Sequence, residues 1–206
     1  SKKELIKMGV ERKNAMVVPM GITIPDTLIN YRKEKHPTII FVGRLSKAKG
    51  IEDAIHMIKI IAKTFPNIVL RVVGRGDDKY TKYLIFLSKK LGVSDRIKFY
   101  GYISEKEKFN MLSTSHILIS PSMKEGFGLT IAEAGFVGTP SVVYNSSGLS
   151  EVVEDRKTGL ICKNNTPSDL AKHITILLRN KTLYDKLSSA AKEKSKQYDW
   201  NKTADF

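Results

Sequence analysis

The chain has 206 residues, with 35 Lys and Arg against 21 Asp and Glu, and a formal net charge of +14 at pH 7. This length fits one domain, or one domain with an appended segment. A globular chain of this size buries roughly 70% of its unfolded surface, so its core needs no disulfide or metal. The single Cys162 excludes an internal disulfide framework, and no apolar run approaches the ~20 residues of a membrane span. We therefore expect a cytoplasmic protein.

The first 35 residues read differently from the rest. Lys2 to Met8 is predicted as a short polar helix ended by Gly9, residues 15–18 as a β-like run, and residues 25–37 as a loop. We predict that residues 1–35 are a linker-like segment packed on a domain of residues 36–206. The chain lacks an initial methionine and stops abruptly, so we expect it to be a piece of a longer protein.

From residue 38 onward, short apolar runs alternate with helical patterns. Six such strands connected by helices predict an α/β fold, in which a Rossmann-like three-layer α/β/α arrangement surrounds a six-stranded, mainly parallel sheet. The predicted strands are Thr38–Val42, Ile68–Val73, Ile97–Tyr100, His116–Ser120, Ser141–Tyr144 and Gly159–Cys162. Glycine-rich turns follow the first four strands, at the carboxyl ends where open α/β sheets bind ligands.

The stretch from Ser120 to Val137 contains the strongest candidate site. A strand ends at Ser120, a turn with Gly126 and Gly128 follows, and a helical pattern runs from Leu129 to Phe136. The first N–H groups of a helix are unpaired and its dipole is positive there, and glycine lets a ligand approach the backbone. A strand, a glycine turn and a helix start together therefore indicate an anion site.

Two glutamates, Glu125 and Glu133, flank this turn. A carboxylate repels phosphate but accepts hydrogen bonds from hydroxyl groups, so the pair indicates a sugar beside the anion. Two simpler alternatives stay open. Glu133 fits a capping box with Thr130, and Glu125 alone fits a solvated loop charge.

A second candidate group is Gly43-Arg44 with Lys49, at the end of the first predicted strand. An arginine and a lysine at a strand–turn–helix mouth can chelate a diphosphate, although both also fit ordinary surface cations. Neither this turn nor Gly74-Arg-Gly76 has the three glycines of a dinucleotide fingerprint, so a nicotinamide dehydrogenase is disfavoured. We interpret Asp77-Asp78 as a helix N-cap.

The sequence shows no pattern typical of a metal or a catalytic triad. The four histidines lack ligand spacing and no Ser/His/Asp set is apparent, so we expect no metal site. His116 opens a predicted core strand, and we interpret it as structural.

Two longer motifs are specific when taken together. They are Phe41-Val-Gly-Arg-Leu45 followed by Lys49-Gly50, and Pro121-Ser-x-x-Glu125-Gly-Phe-Gly-Leu-x-x-x-Glu133-Ala. Their combination resembles the C-terminal half of the retaining GT-B glycosyltransferases of family four, whose Glu-x7-Glu pattern is present in full. The resemblance covers essentially the whole chain. Val18-Pro-Met-Gly21 is similar to the family's interdomain hinge, where Asn often replaces Met20.

The resemblance implies hexosyl transfer from a nucleoside diphosphate sugar, UDP- or GDP-linked, with neither a separate cofactor nor a metal. Carried over by position, Arg44 and Lys49 would bind the diphosphate and act in catalysis with Glu125. Glu125 would hold hydroxyls of the transferred sugar, and Glu133 the ribose hydroxyls. The implied donor-binding set is Gly43, Arg44, Lys49, Tyr102, Ile103, Glu125, Gly126, Phe127, Gly128, Leu129 and Glu133. Backbone from Gly126 to Leu129 would meet the distal phosphate, and backbone near Tyr102 the base.

The partners follow from the same resemblance. GT-B enzymes hold much of the acceptor site in an N-terminal domain that is absent here, so we expect the chain to bind donor but to be inactive alone. The alternative is a non-catalytic nucleotide-sugar-binding module, which would be free to lose the two cations and two glutamates. The net charge also fits an anionic membrane surface, with the protein peripheral to its inner face. Without a stacking platform or a recognition helix, we expect no nucleic acid.

Overall fold

The structure, a computed structural model, describes residues 2–14, 20–25 and 32–198. The β-like run predicted for residues 15–18 lies outside these ranges, as does part of the predicted 25–37 loop. A six-stranded, all-parallel sheet forms the centre of the described chain. Its strands are β1 (Thr38–Val42), β2 (Val69–Val73), β3 (Ile97–Gly101), β4 (Ile117–Ser120), β5 (Ser141–Val143) and β6 (Gly159–Ile161).

The strand order is β3-β2-β1-β4-β5-β6. The chain therefore builds outward from β1 to one edge, returns to the middle, and builds outward again from β4. Ile39 pairs with Ile117 and Ile40 with Leu118 where the two halves meet. Ligands of open α/β sheets bind at such a switch point, where the loops after neighbouring strands diverge and leave a crevice.

Helices cover both faces of the sheet. The described helices are α1 (Lys2–Lys7), α2 (Ile51–Ile61), α3 (Asp78–Lys90), α4 (Glu105–Thr114), α5 (Leu129–Phe136), α6 (Leu149–Val152), α7 (Pro167–Arg179) and α8 (Lys181–Ser195). Those from α2 onward contribute side chains to the cores on the sheet. Short 3-10 turns occur at Arg12–Asn14, Lys47–Lys49, Ser94–Arg96 and Lys196–Tyr198. None of the helices in the described ranges is long and apolar enough to cross a bilayer.

The sheet separates two hydrophobic cores because side chains alternate along each strand. Ile39 and Phe41 of β1 pack with α2, α3 and α7, whereas Ile40 packs on the opposite face with α4 and α5. All three side chains are at most 2% exposed. Burial on both faces is the reason that the central strands β1 and β4 have nearly continuous apolar sequences, and it confirms the predicted three-layer arrangement.

Most helix starts follow the signals in the sequence. The Asp77 carboxylate accepts a hydrogen bond from Tyr80 N, which confirms the predicted N-cap of α3. Ser104 and Glu107 form a reciprocal capping box at α4, and α7 begins with Pro167. These caps satisfy backbone N–H groups that would otherwise lack partners.

Some predicted boundaries are one residue too long. Strand β4 begins at Ile117, and His116 lies just before it, where its Nδ1 accepts a hydrogen bond from Thr38 N at 3.1 Å. This contact agrees with a structural role for His116. Near the other end of the chain, Ile22 N donates to Tyr198 O at 2.7 Å, which ties the 20–25 segment to the domain. The division at residue 35 stays a prediction.

Candidate functional site

The loops after β1, β4 and β5 surround a cavity of about 560 Å³ at the carboxyl edge of the sheet. A second cavity of about 390 Å³ shares Arg44, Lys49 and Glu125 with the first. It reaches the beginning of α5 through Phe127, Gly128, Leu129 and Thr130, and also contacts Gly43 and Met20. Together the two spaces occupy the switch point between β1 and β4.

Backbone contacts hold these loops against each other. Gly50 has φ +67°, and a Cβ there would lie 2.0 Å from the carbonyl oxygen of Pro121. Gly148 has φ +87°, and a Cβ there would lie 2.2 Å from the carbonyl oxygen of Glu125. Only glycine satisfies both the positive φ and the close approach. The positions of Lys49 and Glu125 are therefore fixed by neighbouring backbone.

Lys49 and Glu125 form an ion pair between the first two loops. Lys49 Nζ lies 2.6 Å from Glu125 Oε2, and their side chains are 24% and 20% exposed. Gly126 N also donates to Glu125 Oε1 at 3.2 Å. The alternative that Glu125 is a solvated loop charge is wrong, because its side chain is mostly buried and its carboxylate accepts hydrogen bonds from both Lys49 and Gly126.

Arg44 lines both cavities and is exposed. Within the described residues, the structure gives its guanidinium no carboxylate partner. It therefore leaves a fixed positive charge and its donors available to a ligand. Glu125 pairs with Lys49, so the other cations beside the first cavity are Arg44 and the exposed Lys124.

Helix α5 begins at the wall of the second cavity. Gly128 precedes it with φ +79° and, as a glycine, supplies no side-chain cap to its N-terminus. The alternative of a Thr130–Glu133 capping box is wrong, since the helix starts at Leu129 and Glu133 bonds elsewhere. Ile131 N donates to Gly128 O at 2.9 Å, so the features at the start of α5 that favour an anion are the earlier N–H groups, of Leu129 and Thr130, and the helix dipole.

Glu133 is buried one turn into α5, where it is 7% exposed. Its Oε1 lies 2.9 Å from Lys108 Nζ of α4, and Lys108 Nζ also lies 2.7 Å from Glu105 Oε2. Burial raises the pKa of Glu133, while the charge and hydrogen bond of Lys108 oppose that rise. Glu133 Oε2 has no hydrogen-bond partner, and no other buried side-chain nitrogen or oxygen in the described ranges lacks one.

The predicted base-contacting residues lie apart from the two larger cavities. Tyr102 and Ile103 follow β3, next to a cavity of about 180 Å³ lined by Gly74, Arg75 and Gly101 among others. Tyr102 is 70% exposed, and the Arg75 guanidinium carbon is 5.7 Å from its ring centroid. Ile103 packs against the core below α4 and α5.

The structure therefore brings together most of the predicted residues. Those on the two large cavities are Gly43, Arg44, Lys49, Glu125, Gly126, Phe127, Gly128 and Leu129, whereas the predicted Glu133 lines neither of them. Sequence reasoning missed Lys108, as well as Ser147, Gly148 and Glu151 of the β5–α6 loop. Lys108 stands four residues before the buried Leu112, and this helical spacing was the available signal that it faces inward.

A separate polar cluster was also missed. Potential ligand atoms of Cys162, Asp169 and His173 lie within 4.8 Å of one another. Asp169 O is 2.8 Å from His173 Nδ1, and the Asp169 carboxylate accepts a hydrogen bond from Asn164 N at 2.8 Å. Burial raises the pKa of the Cys162 thiol to about 12. These contacts account for the cluster as a stabilising network, and the expected lack of a metal site stays a prediction.

Comparison with known proteins identifies the family. Residues 29–194 match the family of glycosyl transferases group 1, and the chain belongs to that family. An uncharacterized glycosyltransferase of Haemophilus influenzae is 29% identical over 183 residues, which cover 87% of this chain and 51% of that protein. A glycogen synthase of Mycobacterium tuberculosis is 30% identical over 167 residues, which cover 81% and 40%. The chain thus spans about half the length of the curated relatives it matches.

Solved structures show the same fold. The Anabaena protein HepE, solved in complex with UDP and glucose, has a TM-score of 0.85 at 21% identity, covering 100% of this chain and 59% of HepE. The C-terminal domain of a group 1 family protein from Francisella tularensis has a TM-score of 0.72 at 22% identity, covering 82% and 88%. The chain therefore has the fold of a C-terminal-type domain of the GT-B glycosyltransferases, which confirms the predicted fold and the resemblance to that group of proteins.

Proposed function

We propose that this chain is the donor-binding domain of a retaining, family-four hexosyltransferase that uses a UDP- or GDP-linked sugar. The observation that carries the proposal is the convergence of Arg44, Lys49, Glu125 and the start of α5 on one pair of cavities. These groups supply cations and N–H donors for a diphosphate and a carboxylate for hydroxyl groups. The relative solved with UDP and glucose supports this class of ligand.

In this proposal the diphosphate lies between Arg44, Lys49 and the α5 N-terminus. The bond to the sugar breaks with negative charge developing on the leaving diphosphate. Fixed cations and helix N–H groups aimed at that charge stabilise the transition state electrostatically. Since this chain supplies positive charge at the phosphate, we propose that transfer is metal-independent.

Glu125 and Glu133 bind different hydroxyl groups. Glu125 faces the larger cavity beside Ser147 and Gly148, where the transferred sugar fits. Lys49 Nζ lies 2.6 Å from this carboxylate. In the proposed complex the lysine interacts with both Glu125 and a phosphate. Glu133, deeper on α5, accepts from the ribose through Oε2, and backbone near Tyr102 meets the base.

The first test is thermal unfolding with UDP, GDP and ADP. A nucleotide at about 100 times its dissociation constant adds roughly 2.7 kcal/mol, equivalent to a rise of roughly 5–10 °C in Tm for this size. Glu133→Ala and Arg44→Ala should each abolish most of the rise, since each removes a direct contact. Lys47→Ala is the matched control, because Lys47 is an exposed cation of the same loop that lines neither cavity. No rise with any of the three nucleotides would contradict the proposal.

The acceptor belongs to the other half of such an enzyme. The chain covers about half of its relatives, so we expect the isolated 206 residues to bind donor without transferring sugar. A radiolabelled-sugar transfer assay with UDP-glucose and GDP-mannose tests this expectation. Measurable transfer by the isolated chain would show that the acceptor site lies within it.

A further inference from the structure

The contact between α4 and α5 joins a buried base to a buried acid. Lys108 and Glu133 have side chains that are 13% and 9% exposed, and their charged atoms are 2.9 Å apart. Lys108 is also 2.7 Å from Glu105, whose side chain is 56% exposed. The lysine thus has one carboxylate in solvent and one in the interior.

The two oxygens of Glu133 have different surroundings. Oε1 takes the hydrogen bond of Lys108, while Oε2 is buried without a partner. Buried polar atoms are nearly always hydrogen-bonded, so an exception calls for an explanation. A ligand hydroxyl at Oε2 would supply the missing donor and complete the bonding of the carboxylate.

The ion pair also controls the charge of Glu133. A buried carboxylate without a counter-charge takes up a proton, because desolvation disfavours its ionised form. Burial indeed raises the pKa of Glu133, and Lys108 opposes the rise through charge and hydrogen bonding. Burial would also lower the pKa of Lys108, but the two glutamates more than offset this and raise it. Lys108 therefore remains a cation beside Glu133.

We infer that Lys108 is a positioning residue, which keeps Glu133 ionised and turned so that Oε2 meets the 2′-hydroxyl of the donor ribose. The inference rests on the proposed donor site. Lys108 acts through Glu133 and does not itself touch the ribose. The competing explanation is that the pair only fastens α4 to α5.

The discriminating measurement is the preference for ribose over deoxyribose. Dissociation constants for UDP and GDP are compared with those for dUDP and dGDP, by titration calorimetry. One hydrogen bond to an ionised group corresponds to roughly 10- to 100-fold preference, and one between neutral groups to roughly 2- to 10-fold. We expect the wild-type chain in the first range and Lys108→Met in the second at neutral pH.

Two variants separate charge from packing. Lys108→Arg keeps the cation and should stay within about threefold of the wild-type preference. Lys108→Gln keeps a donor without the charge and should behave like Lys108→Met, in case the latter folds poorly. Lys106→Met is the matched control, because Lys106 is an exposed lysine of the same helix. It should leave the preference unchanged.

The pH dependence of the ribose preference distinguishes the inference from a purely structural contact between α4 and α5, which would leave that dependence unchanged. The ribose preference needs ionised Glu133, so it is present above the pKa of that carboxylate and falls as the pH drops through it. Loss of Lys108 raises this pKa further, so the midpoint for Lys108→Gln should lie at higher pH than the midpoint for the wild-type chain. Phosphate titration affects the ribo- and deoxynucleotides alike and cancels in the ratio.

Each outcome decides a different claim. A reduced preference with a raised midpoint, rescued by arginine, supports the inference. An unchanged preference in Lys108→Gln, while Glu133→Ala loses it, overturns the role of Lys108 and leaves the donor site standing. An unchanged preference in Glu133→Ala removes binding of the 2′-hydroxyl by Glu133 and the inference with it. Failure of all four nucleotides to bind removes the donor site itself.

Discussion

At the scale of single residues, Glu133 shows how a buried carboxylate can stay incompletely hydrogen-bonded in the folded chain. Its carboxylate is buried, one oxygen is paired, and the other has no partner. An apolar residue of similar volume would fit such a position with less desolvation. We infer that Glu133 is retained for a ligand and not for stability.

We therefore predict that Glu133→Met does not destabilise the ligand-free chain. The substitution removes a buried charge, and Lys108 keeps Glu105 as its partner at 2.7 Å. The free energy of unfolding, measured with urea at pH 7, should be unchanged or higher by about 1 kcal/mol. A loss of more than about 1 kcal/mol would show that the ion pair is a net stabilising contact.

The same prediction carries a pH dependence. The folded chain binds the Glu133 proton more tightly than the unfolded chain does, because burial raises this pKa above its ordinary 4.5. The wild-type stability from this group thus falls as pH rises from 4.5 through the raised pKa. The advantage of Glu133→Met should be larger at pH 7 than near the ordinary value, and a constant difference would contradict the assignment.

The residues of the site were predictable to different degrees. Arg44, Lys49, Glu125 and the glycines lie within short motifs, so their spacing indicated a shared task. Lys108 is 25 residues from Glu133 and meets it only because α4 packs beside α5. Packing between helices gives only a weak signal in the local sequence, so Lys108 was interpreted as a solvated surface lysine.

At the scale of elements, the loops are positioned by backbone contacts that glycine permits. Gly50 ends the short turn after β1 and begins α2, and it passes against Pro121 of the β4 loop. The sequence placed each of these loops next to a strand end. It did not reveal that they touch, because glycine leaves no side chain from which such a contact could be predicted.

We predict that Gly50→Ala is strongly destabilising. It combines an unfavourable positive φ with a Cβ 2.0 Å from a carbonyl oxygen, so the two loops must separate. The expected loss is about 3 kcal/mol or more of unfolding free energy, measured by urea denaturation. Gly92→Ala is a matched control, since Gly92 has a similar φ of +70° and no atom within 4 Å of an added Cβ. The Gly92→Ala chain should lose only about 1 kcal/mol of unfolding free energy. Equal losses in the two variants would show that the contact between the loops does not contribute to the effect of Gly50→Ala.

At the scale of the whole molecule, strand order places the site where the two halves of the sheet meet. Arg44 and Lys49 follow β1, whereas Glu125 and Glu133 follow β4. Alternating strand and helix patterns predicted the parallel sheet and its layers, because both cores are built from residues at regular spacing. The order of the strands required knowledge of long-range pairing that the patterns lack. The predicted attraction of the +14 chain to anionic membranes stays a prediction.

We predict that nucleotide binding protects the central strands from hydrogen exchange. A diphosphate held by loops of both halves opposes any opening that separates β1 from β4, whereas β6 is remote from it. Exchange measured by mass spectrometry with saturating UDP or GDP should slow most in β1 and β4. Equal slowing across all six strands would mean that binding opposes only global unfolding.

The pairing of β1 with β4 has one more consequence. A cut in the short connection between α4 and β4 would leave one peptide with Arg44 and Lys49, the two cations of the proposed donor site, and another with its two carboxylates, Glu125 and Glu133. Neither peptide would hold a complete pocket, and the broad apolar faces of both would favour reassociation. A bound nucleotide would then stabilise the complex of the two peptides. Recovery of nucleotide binding in a mixture of the peptides would report that the sheet has reassembled.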